Sequence, residues 1–237
     1  MSLLSIVQNA ADEVGVGQPT TVIGSTNPTA IQMLALCNRH GQHLVERYDW
    51  EILTKEATFS TIAAESQGTV LAAASDFHHY INDTMFNRTT NRKILGPYTP
   101  AQWQREKANS VASNIDTYFR IRGGLIIFIP DPTASQTVAF EYATNKWADT
   151  TGGGANKTSM TVDTDVAEFD EELMTLGVIW RFLKAKGLDY SEPFRDHEIS
   201  LQRALARDGG KPRVNLAGGV PIDPTVMNFP DGSWSIT

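Results

Sequence analysis

Residues 173–210 read LMTLGVIWRFLKAKGLDYSEPFRDHEISLQRALARDGG, and this stretch carries the strongest indication of fold in the 237-residue chain. It predicts two consecutive helices. The first follows acidic residues at 170–172 and ends at Gly187 after several basic residues, so the charges at both ends complement the helix dipole. The second begins at Ser191, the expected N-cap, and ends at Gly209–Gly210. The stretch contains no catalytic motif, which favours a part of an assembly over an enzyme.

Two more helices are predicted at the other end of the chain. Residues 2–14 have amphipathic spacing, and a longer helix begins at Asn27, the expected N-cap, with Pro28 in its first turn and Trp50 at its end. The expected inward residues are Leu3, Ile6, Val7, Ala10, Ala11 and Val14, then Ile31, Leu34, Cys37, Leu44, Val45 and Tyr48, then Leu173, Leu176, Ile179, Trp180 and Leu183, and finally Phe194, Leu201 and Leu205.

The pattern changes to strands near residue 52. The clearest strand signal is TYFRIRGGLIIFIPDP at 117–132, where Gly123–Gly124 is expected to form a two-residue hairpin turn. A further strand is predicted at 136–143, with its Glu141 facing Arg120 or Arg122 across the sheet, and a last strand at 157–163. Residues 76–108 are interpreted as loops with short strands because turn signals interrupt them.

These elements predict an α+β fold. We expect the N- and C-terminal helices to form one helical bundle, with an antiparallel, sandwich- or barrel-like β domain inserted between them. The predicted divisions are 1–51 and 166–210 for the bundle, 52–165 for the insertion and 211–237 for an extended tail. The tail shows no helical or strand period, yet it contains apolar residues that we expect to contact a partner. These residues are Val214, Leu216, Val220, Ile222, Val226, Met227, Phe229 and Trp234.

Charge and cysteine content restrict the classes of function. The net charge of −7 argues against a general nucleic-acid binder, although an acidic inner wall of a ring would let DNA slide past. The single cysteine, Cys37, is expected to be buried, and it favours assembly in a reducing cytoplasm. We predict neither a signal peptide nor a membrane span, which would need about 20 apolar residues. The N-x-S/T sites at Asn82, Asn87 and Asn156 therefore carry no weight.

Two motifs resemble ligand sites but lack essential parts. GGGANKTS at 152–159 has Asn156 where a phosphate loop needs glycine before its lysine, and a linker between strands explains it better. A zinc site would need partners for four histidines, which are expected instead on a polar helix edge and in a loop. These histidines are His40, His43, His78 and His79. We predict no metal and no cofactor.

Two clusters were weighed as catalytic or nucleic-acid sites. An acidic run leads directly into a helix, so N-terminal capping explains it better than a carboxylate pair or a calcium loop does. Its members are Asp163, Asp165, Glu168, Asp170, Glu171 and Glu172. A second cluster mixes basic and aromatic residues that are able to stack on single-stranded nucleic acid, but nearby acids offset its charge. Its members are Arg88, Arg92, Lys93, Tyr98, Trp103 and Arg105. We predict no catalytic residue.

Several segments together resemble the head-to-tail adaptor, or head-completion, proteins of short-tailed bacteriophages. None of them is catalytic, and the resemblance rests on their order and wording over roughly residues 45 to 210. The segments are ERYDWEILTKEATF at 46–59, DFHHYI at 76–81 with GPYTPAQW at 96–103, YFRIRGGLIIFIPDP at 118–132 with VAFEYATNKW at 138–147, and TDVAEFDEELMTLGVIWRFLKAKGLDY at 164–190 with ALARDGG at 204–210.

The resemblance implies a structural virion protein at the head–tail interface. Roughly twelve copies would form a head-to-tail ring below the portal, extend the DNA channel without sequence-specific DNA binding, and carry the tail nozzle and fibres. The C-terminal segment would reach the portal. Another tail-completion, tail-tube or stopper protein is the main alternative, and a hydrolase using the carboxylates at 163–172 is a third hypothesis.

Overall fold

A computed structural model of the chain describes residues 2–108, 116–150 and 156–209, and its fold is α+β. All the tail residues expected to contact a partner lie outside these ranges. The helices are α1 (Leu3–Val14), α2 (Pro28–Arg47), α3 (Val70–Ala73), α4 (Pro100–Ala108), α5 (Glu171–Lys186) and α6 (Ser191–Arg207), with a 3-10 turn at Glu51–Leu53. The strands are β1 (Thr54–Ser60), β2 (Ser66–Thr69), β3 (Phe77–Tyr80), β4 (Phe86–Asn87), β5 (Arg92–Leu95), β6 (Thr117–Arg122), β7 (Leu125–Ile129), β8 (Thr137–Thr144), β9 (Ala148–Asp149) and β10 (Val166–Ala167).

Three helices begin directly after a residue whose side chain caps the first turn. Asn27 accepts a hydrogen bond from the Thr29 amide at the start of α2, and Asp170 accepts one from the Glu172 amide at the start of α5. Ser2 caps α1 through a reciprocal pair with Ser5. The end of α5 at Gly187 is also confirmed: its φ of 71° is left-handed, and its amide donates to carbonyls of the last turn.

Helices from the two ends of the chain share one apolar core. α5 lies at its centre and contacts α1, α2 and α6. Residues from the β9–β10 region join this core rather than that of the large sheet, with Trp147, Met160 and Phe169 all buried among the helices. The division at residue 165 stays a prediction, but the chain already packs against the helices from residue 147 onward.

The inward faces of the helices differ in part from the predicted ones. On α2, Ile31 is 51% exposed and Tyr48 is also exposed, whereas His40 and Gly41 are buried. The Trp147 ring fills the space beside Gly41, where an added β-carbon would lie 2.4 Å from it. The expectation that His40 lies on a polar helix edge is wrong. The buried face of α2 is rotated relative to the predicted one because Trp147, which is distant in sequence, packs against the side of the helix that contains Gly41.

The start of α6 also departs from prediction. Ser191 is the first helical residue and does not cap; Asp189 accepts hydrogen bonds from both the Ser191 amide and its hydroxyl. Phe194, expected inside, is 39% exposed, while His197 and Leu201 are buried. A polar residue therefore takes an inward position on each of two neighbouring helices.

The large sheet is mixed, so the prediction of a purely antiparallel insertion is wrong. Its strands follow the order β1-β8-β4-β5-β6-β7-β2, with β3 also paired to β8, and the β5–β6 pair is parallel. A parallel pair needs a long crossover connection, and residues 96–116, which include α4, provide it. Helix α4 was not predicted. The hairpin turn is confirmed, since Gly123 and Gly124 both have positive φ.

The sheet curls around its own core in a barrel-like manner. Phe59 on β1 and Phe128 on β7 lie near opposite ends of the strand order, yet their ring centroids are 6.1 Å apart. Phe119, Phe140 and Met85 belong to the same apolar cluster. Strands far apart in the sheet therefore bury their side chains in one apolar cluster.

Two further strand predictions are wrong. Residues 157–163 form a single bridge between Lys157 and Ala148 rather than a strand. Glu141 does not lie across from an arginine, because β8 pairs with β1, β3 and β4 and not with β6; its register partner is Glu56.

Candidate functional site

Two residues of the acidic run, Asp163 and Asp165, hold local structure. Asp163 accepts hydrogen bonds from the amides of Val22 and Ile23. Asp165 is fully buried and accepts from Lys157 at 2.8 and 2.9 Å and from the amides of residues 161 and 162. Burial raises its pKa, but these donors outweigh that effect and hold the pKa below its usual range. Asp165 thus fixes the turn that leads into the helices.

The glycines of the apparent phosphate loop lie outside the described residues. The part that is described makes bonds to carboxylates: Asn156 donates to Asp149, and Lys157 donates to Asp165. These bonds tie the segment to the helical core rather than leaving its amine open to a ligand.

The structure does not bring the four predicted histidines together. His78 and His79 contact each other on β3, and His79 lies 2.8 Å from Asp49. His40 is buried on α2, and His43 is exposed one turn further along. Over residues 2–108, 116–150 and 156–209, no three His, Cys, Asp or Glu side chains are grouped so as to hold a metal ion. Cys37 is buried as expected, and burial raises the pKa of its thiol to about 12.

The basic and aromatic cluster of residues 88–105 is dispersed. Arg88 pairs with Glu56 and Lys93 with Asp83, both within the sheet region. Trp103 is completely buried on α4, and Tyr98 stacks on Tyr118 with centroids 4.8 Å apart. No continuous row of aromatic faces is left for stacking bases among these residues.

A groove between α2, α5 and α6 is the site with the most unusual chemistry in the described chain. Its volume is about 770 Å³. Sequence reasoning did not identify it. Apolar side chains and the stems of long cations form its walls, and two histidines form its floor. The lining residues are Leu36, Arg39, His40, His43, Leu44, Glu46, Arg47, Trp180, Arg181, Lys184, Ala185, Phe194, His197 and Glu198.

The floor of the groove contains buried ring nitrogens that lack hydrogen-bond partners. His40 and His197 are 1% and 2% exposed, and their rings meet edge-to-face with centroids 4.9 Å apart. His40 Nε2 lies 3.1 Å from the Leu173 carbonyl oxygen. Within the described residues, His40 Nδ1, His197 Nε2 and Trp180 Nε1 have no hydrogen-bond partner, while His197 Nδ1 lies 3.5 Å from Glu198 Oε1. A buried unpaired polar group is costly, by about 1–3 kcal/mol each, so these atoms favour a hydrogen-bonding ligand.

The pKa values of both histidines are lowered. Burial is the main cause for His40, followed by the charge of Arg181, and its pKa lies well below the usual range. Burial also lowers the pKa of His197 to about 4, against the opposing effect of Glu198. Both rings are therefore neutral at pH 7. Each neutral ring offers one N–H donor and one acceptor nitrogen.

Cations outnumber anions around the opening. Arg39, Arg47, Arg181 and Lys184 line the groove with only two carboxylates, Glu46 and Glu198. Arg47 forms a bidentate salt bridge with Glu198, with N–O distances of 2.8 and 2.6 Å.

Arg181 is the most constrained of these cations. Its guanidinium lies over the Trp180 ring, 4.1 Å from the centroid, and donates to the Gly177 carbonyl. Burial lowers the pKa of Arg181 to about 10, and the nearby charge of Arg39 adds to this effect. Two cations that repel each other beside unpaired donors form a surface suited to an anion.

Helical spacing was the signal that points to these residues. His40 follows Met33 and Cys37 at three- and four-residue intervals on the buried face of α2, and His197 lies between Phe194 and Leu201 in the same way on α6. A histidine in such an apolar position is either a core residue with its hydrogen bonds satisfied or part of a ligand site. Only the structure shows that the two meet.

Within the described residues, no helix has both the length and the apolar character needed to cross a bilayer. In comparisons with known proteins, no family model and no curated protein matches this chain.

Proposed function

We propose that this chain is a structural head-to-tail adaptor of a short-tailed bacteriophage. In this proposal, roughly twelve copies form a ring below the portal, extend the DNA channel and provide the platform for the tail nozzle and fibres. The protein acts in the virion after assembly in the host cytoplasm, and it catalyses no reaction.

The observation that carries the proposal is the ordered set of resembling segments between residues 45 and 210. In the fold, these segments supply the passage from α2 into β1, the strands β6 to β8, and helix α5 with the turn before it. They therefore lie at the joints and at the centre of the molecule, where a shared architecture would constrain sequence most.

The presence of separate apolar cores in the helices and in the sheet supports the same proposal. The helices of both chain ends act as the bundle that builds the ring, and the sheet inserted between them provides the second, outward surface. The tail, residues 211–237, extends to the portal through the eight apolar residues from Val214 to Trp234 named above. Double-stranded DNA passes the acidic ring without sequence-specific contacts.

The experiment is to mix the full chain with the portal ring from the same source. Native mass and negative-stain images would show a saturating layer of about a dozen copies on one face of the portal. A bare portal, with the chain bound instead to isolated tails, would overturn the adaptor role and assign the protein to a tail tube or stopper.

A further inference from the structure

We propose that the basic groove between α2, α5 and α6 receives the acidic end of α5 from a second copy of this chain. This inference rests on the proposed ring and names its subunit contact. In it, Glu13 and Glu172 of one copy approach Arg39 and Lys184 of the next.

The acidic end of α5 is itself concave. A depression of about 420 Å³ lies between the end of α1 and the start of α5, lined by Asn9, Glu13, Asp170, Glu171, Glu172, Thr175 and Leu176. Glu13 and Glu172 are exposed, and no ion-pair partner for either is found within the described residues. The depression contains four carboxylates and no cation, so its charge is opposite to that of the groove.

The unpaired groups of the groove require acceptors. Trp180 Nε1 is a donor only, it is buried at the groove, and it has no partner there. Arg39 is exposed beside Arg181, whose cationic form it disfavours. A carboxylate entering the groove accepts hydrogen bonds from such donors and separates the two repelling cations. The glutamates of a second copy would supply an acceptor for the buried unpaired donor and negative charge for the excess cations.

Helix geometry keeps the proposed partners apart within one chain. Glu172 and Lys184 are twelve positions apart on α5, which is a rotation of about 120° and a rise of roughly 18 Å. These two side chains therefore cannot pair within one chain, and their pairing requires a second copy. A contact that joins one surface to the other is heterologous, and repetition of a heterologous contact builds a ring or an open filament.

The first test reverses each surface and then combines the variants. Arg39→Glu/Lys184→Glu makes the groove acidic like the depression, and Glu13→Lys/Glu172→Lys leaves the depression with two cations and two carboxylates beside a basic groove. We expect each variant alone to self-associate at least about tenfold more weakly than the wild-type chain in sedimentation at low salt, alone or on portal rings. An equimolar mixture of the two should associate again, because the native depression of the first variant then meets the native groove of the second, and the exchanged charges face each other.

The matched control reverses two exposed cations of α6 outside the groove, Arg195→Glu/Arg203→Glu, and should associate like the wild type. Unchanged association of both reversed variants, or a mixture that fails to recover, would overturn the contact. If the reversed variants still saturate the portal as the wild type does, the adaptor proposal stands and this interface is wrong. If the wild type leaves the portal bare while the two reversed variants lose association and their mixture regains it, the contact stands and the adaptor proposal is wrong.

A second test identifies the geometry of the contact. Glu172→Cys/Lys184→Cys places one thiol on each surface, and the native Cys37 is buried and does not compete. A head-to-tail contact should give a ladder of disulfide-linked oligomers under mild oxidation, while either single variant should give none. Dimers from the Lys184→Cys chain alone would show that groove meets groove, and an absence of any ladder with or without portal would exclude the contact.

Discussion

The ring of His40 occupies the space that a side chain at Gly177 would need. A β-carbon added at Gly177 would lie 2.0 Å from two atoms of that ring, and one of them, Nε2, also lies 3.1 Å from the Leu173 carbonyl oxygen. α2 and α5 approach this closely only because one helix contributes a glycine and the other a flat ring. At the scale of single residues, this contact determines how the floor of the groove is built.

We expect Gly177→Ala to lower the free energy of unfolding by about 1–3 kcal/mol, because the core must shift to admit the methyl group. Gly17→Ala is the matched control, since an added β-carbon there meets nothing within 4 Å, and it should change stability by less than about 0.5 kcal/mol. Urea denaturation measures both. In a His40→Ala background the cost of Gly177→Ala should shrink, and an additive double-mutant cycle would contradict the contact.

The two floor histidines should make stability depend on pH. Their folded-state pKa values lie below the value of about 6.5 for histidine in an unfolded chain, so the unfolded state takes up protons first as the pH falls. Their contribution is therefore complete above pH 6.5 and is lost toward pH 4. We expect His197→Phe, which keeps an aromatic ring but cannot titrate, to reduce this loss by up to about 3 kcal/mol. Identical pH profiles for variant and wild type, from chemical denaturation between pH 7 and 4, would contradict this.

Sequence reasoning reached some residues and missed others for physical reasons. Cys37 was predicted to be buried and is buried, because its position in the helical period is local information. His40 was assigned to a polar edge because its type suggests exposure. Its burial depends on Gly177, more than a hundred positions away, and on His197 from a third helix.

At the scale of elements, one carboxylate links the segment before β3 to strands β1 and β8. Asp76 accepts hydrogen bonds from Lys55 on β1 at 2.8 Å and from the hydroxyls of Tyr142 and Thr144 on β8 at 2.6 and 3.0 Å. Burial raises its pKa, but these three donors outweigh burial and hold the pKa well below its usual range. The segment before β3 is thereby held against two neighbouring strands.

We expect Asp76→Asn to destabilise the fold by about 2–4 kcal/mol, because Lys55 and two hydroxyls then lose a charged acceptor. The contribution of this carboxylate is present above pH 4 and is lost as the pH falls, so the variant should also lose less stability in acid. Asp131→Asn, at an exposed aspartate, is the control and should be neutral within about 0.5 kcal/mol. Equal melting temperatures for the two variants would contradict the role of Asp76.

Elements bounded by local capping or turn residues were predictable from the sequence. Elements defined by pairing with distant segments were not. The start and end of α5 and the Gly123–Gly124 turn follow from capping, charge and positive φ. The parallel β5–β6 pair was missed because nothing within either strand specifies a neighbour that lies beyond a helical crossover. The same limitation applies to Glu141, whose partner strand is set by the topology of the whole sheet.

The whole molecule, over its described residues, contains two apolar cores. One holds the helical unit together, the other holds the sheet together, and the same chain contributes to both. The helical core contains residues from both ends of the described chain, so neither half of it is complete alone. The groove lies between α2, α5 and α6, and the acidic depression lies between α1 and the start of α5. A ring built from it would use the helices for subunit contacts and leave the sheet and the tail for other partners.

Removal of residues 211–237 separates folding from portal binding. We expect the truncated chain to keep the circular dichroism spectrum and cooperative melting of the full chain, because it retains every described residue of both apolar cores. Its binding to the portal should be weakened at least about tenfold, since apolar burial by the tail is lost. Pull-down on immobilised portal rings measures this. Equal binding by both chains would show that the tail has no role in docking.

Docking on the portal as a ring is best tested by native mass spectrometry, with imaging, of the full chain mixed with the portal of the same source. We expect a single saturated species that carries about a dozen copies on one portal face. A portal that stays bare at saturating protein concentration would contradict it.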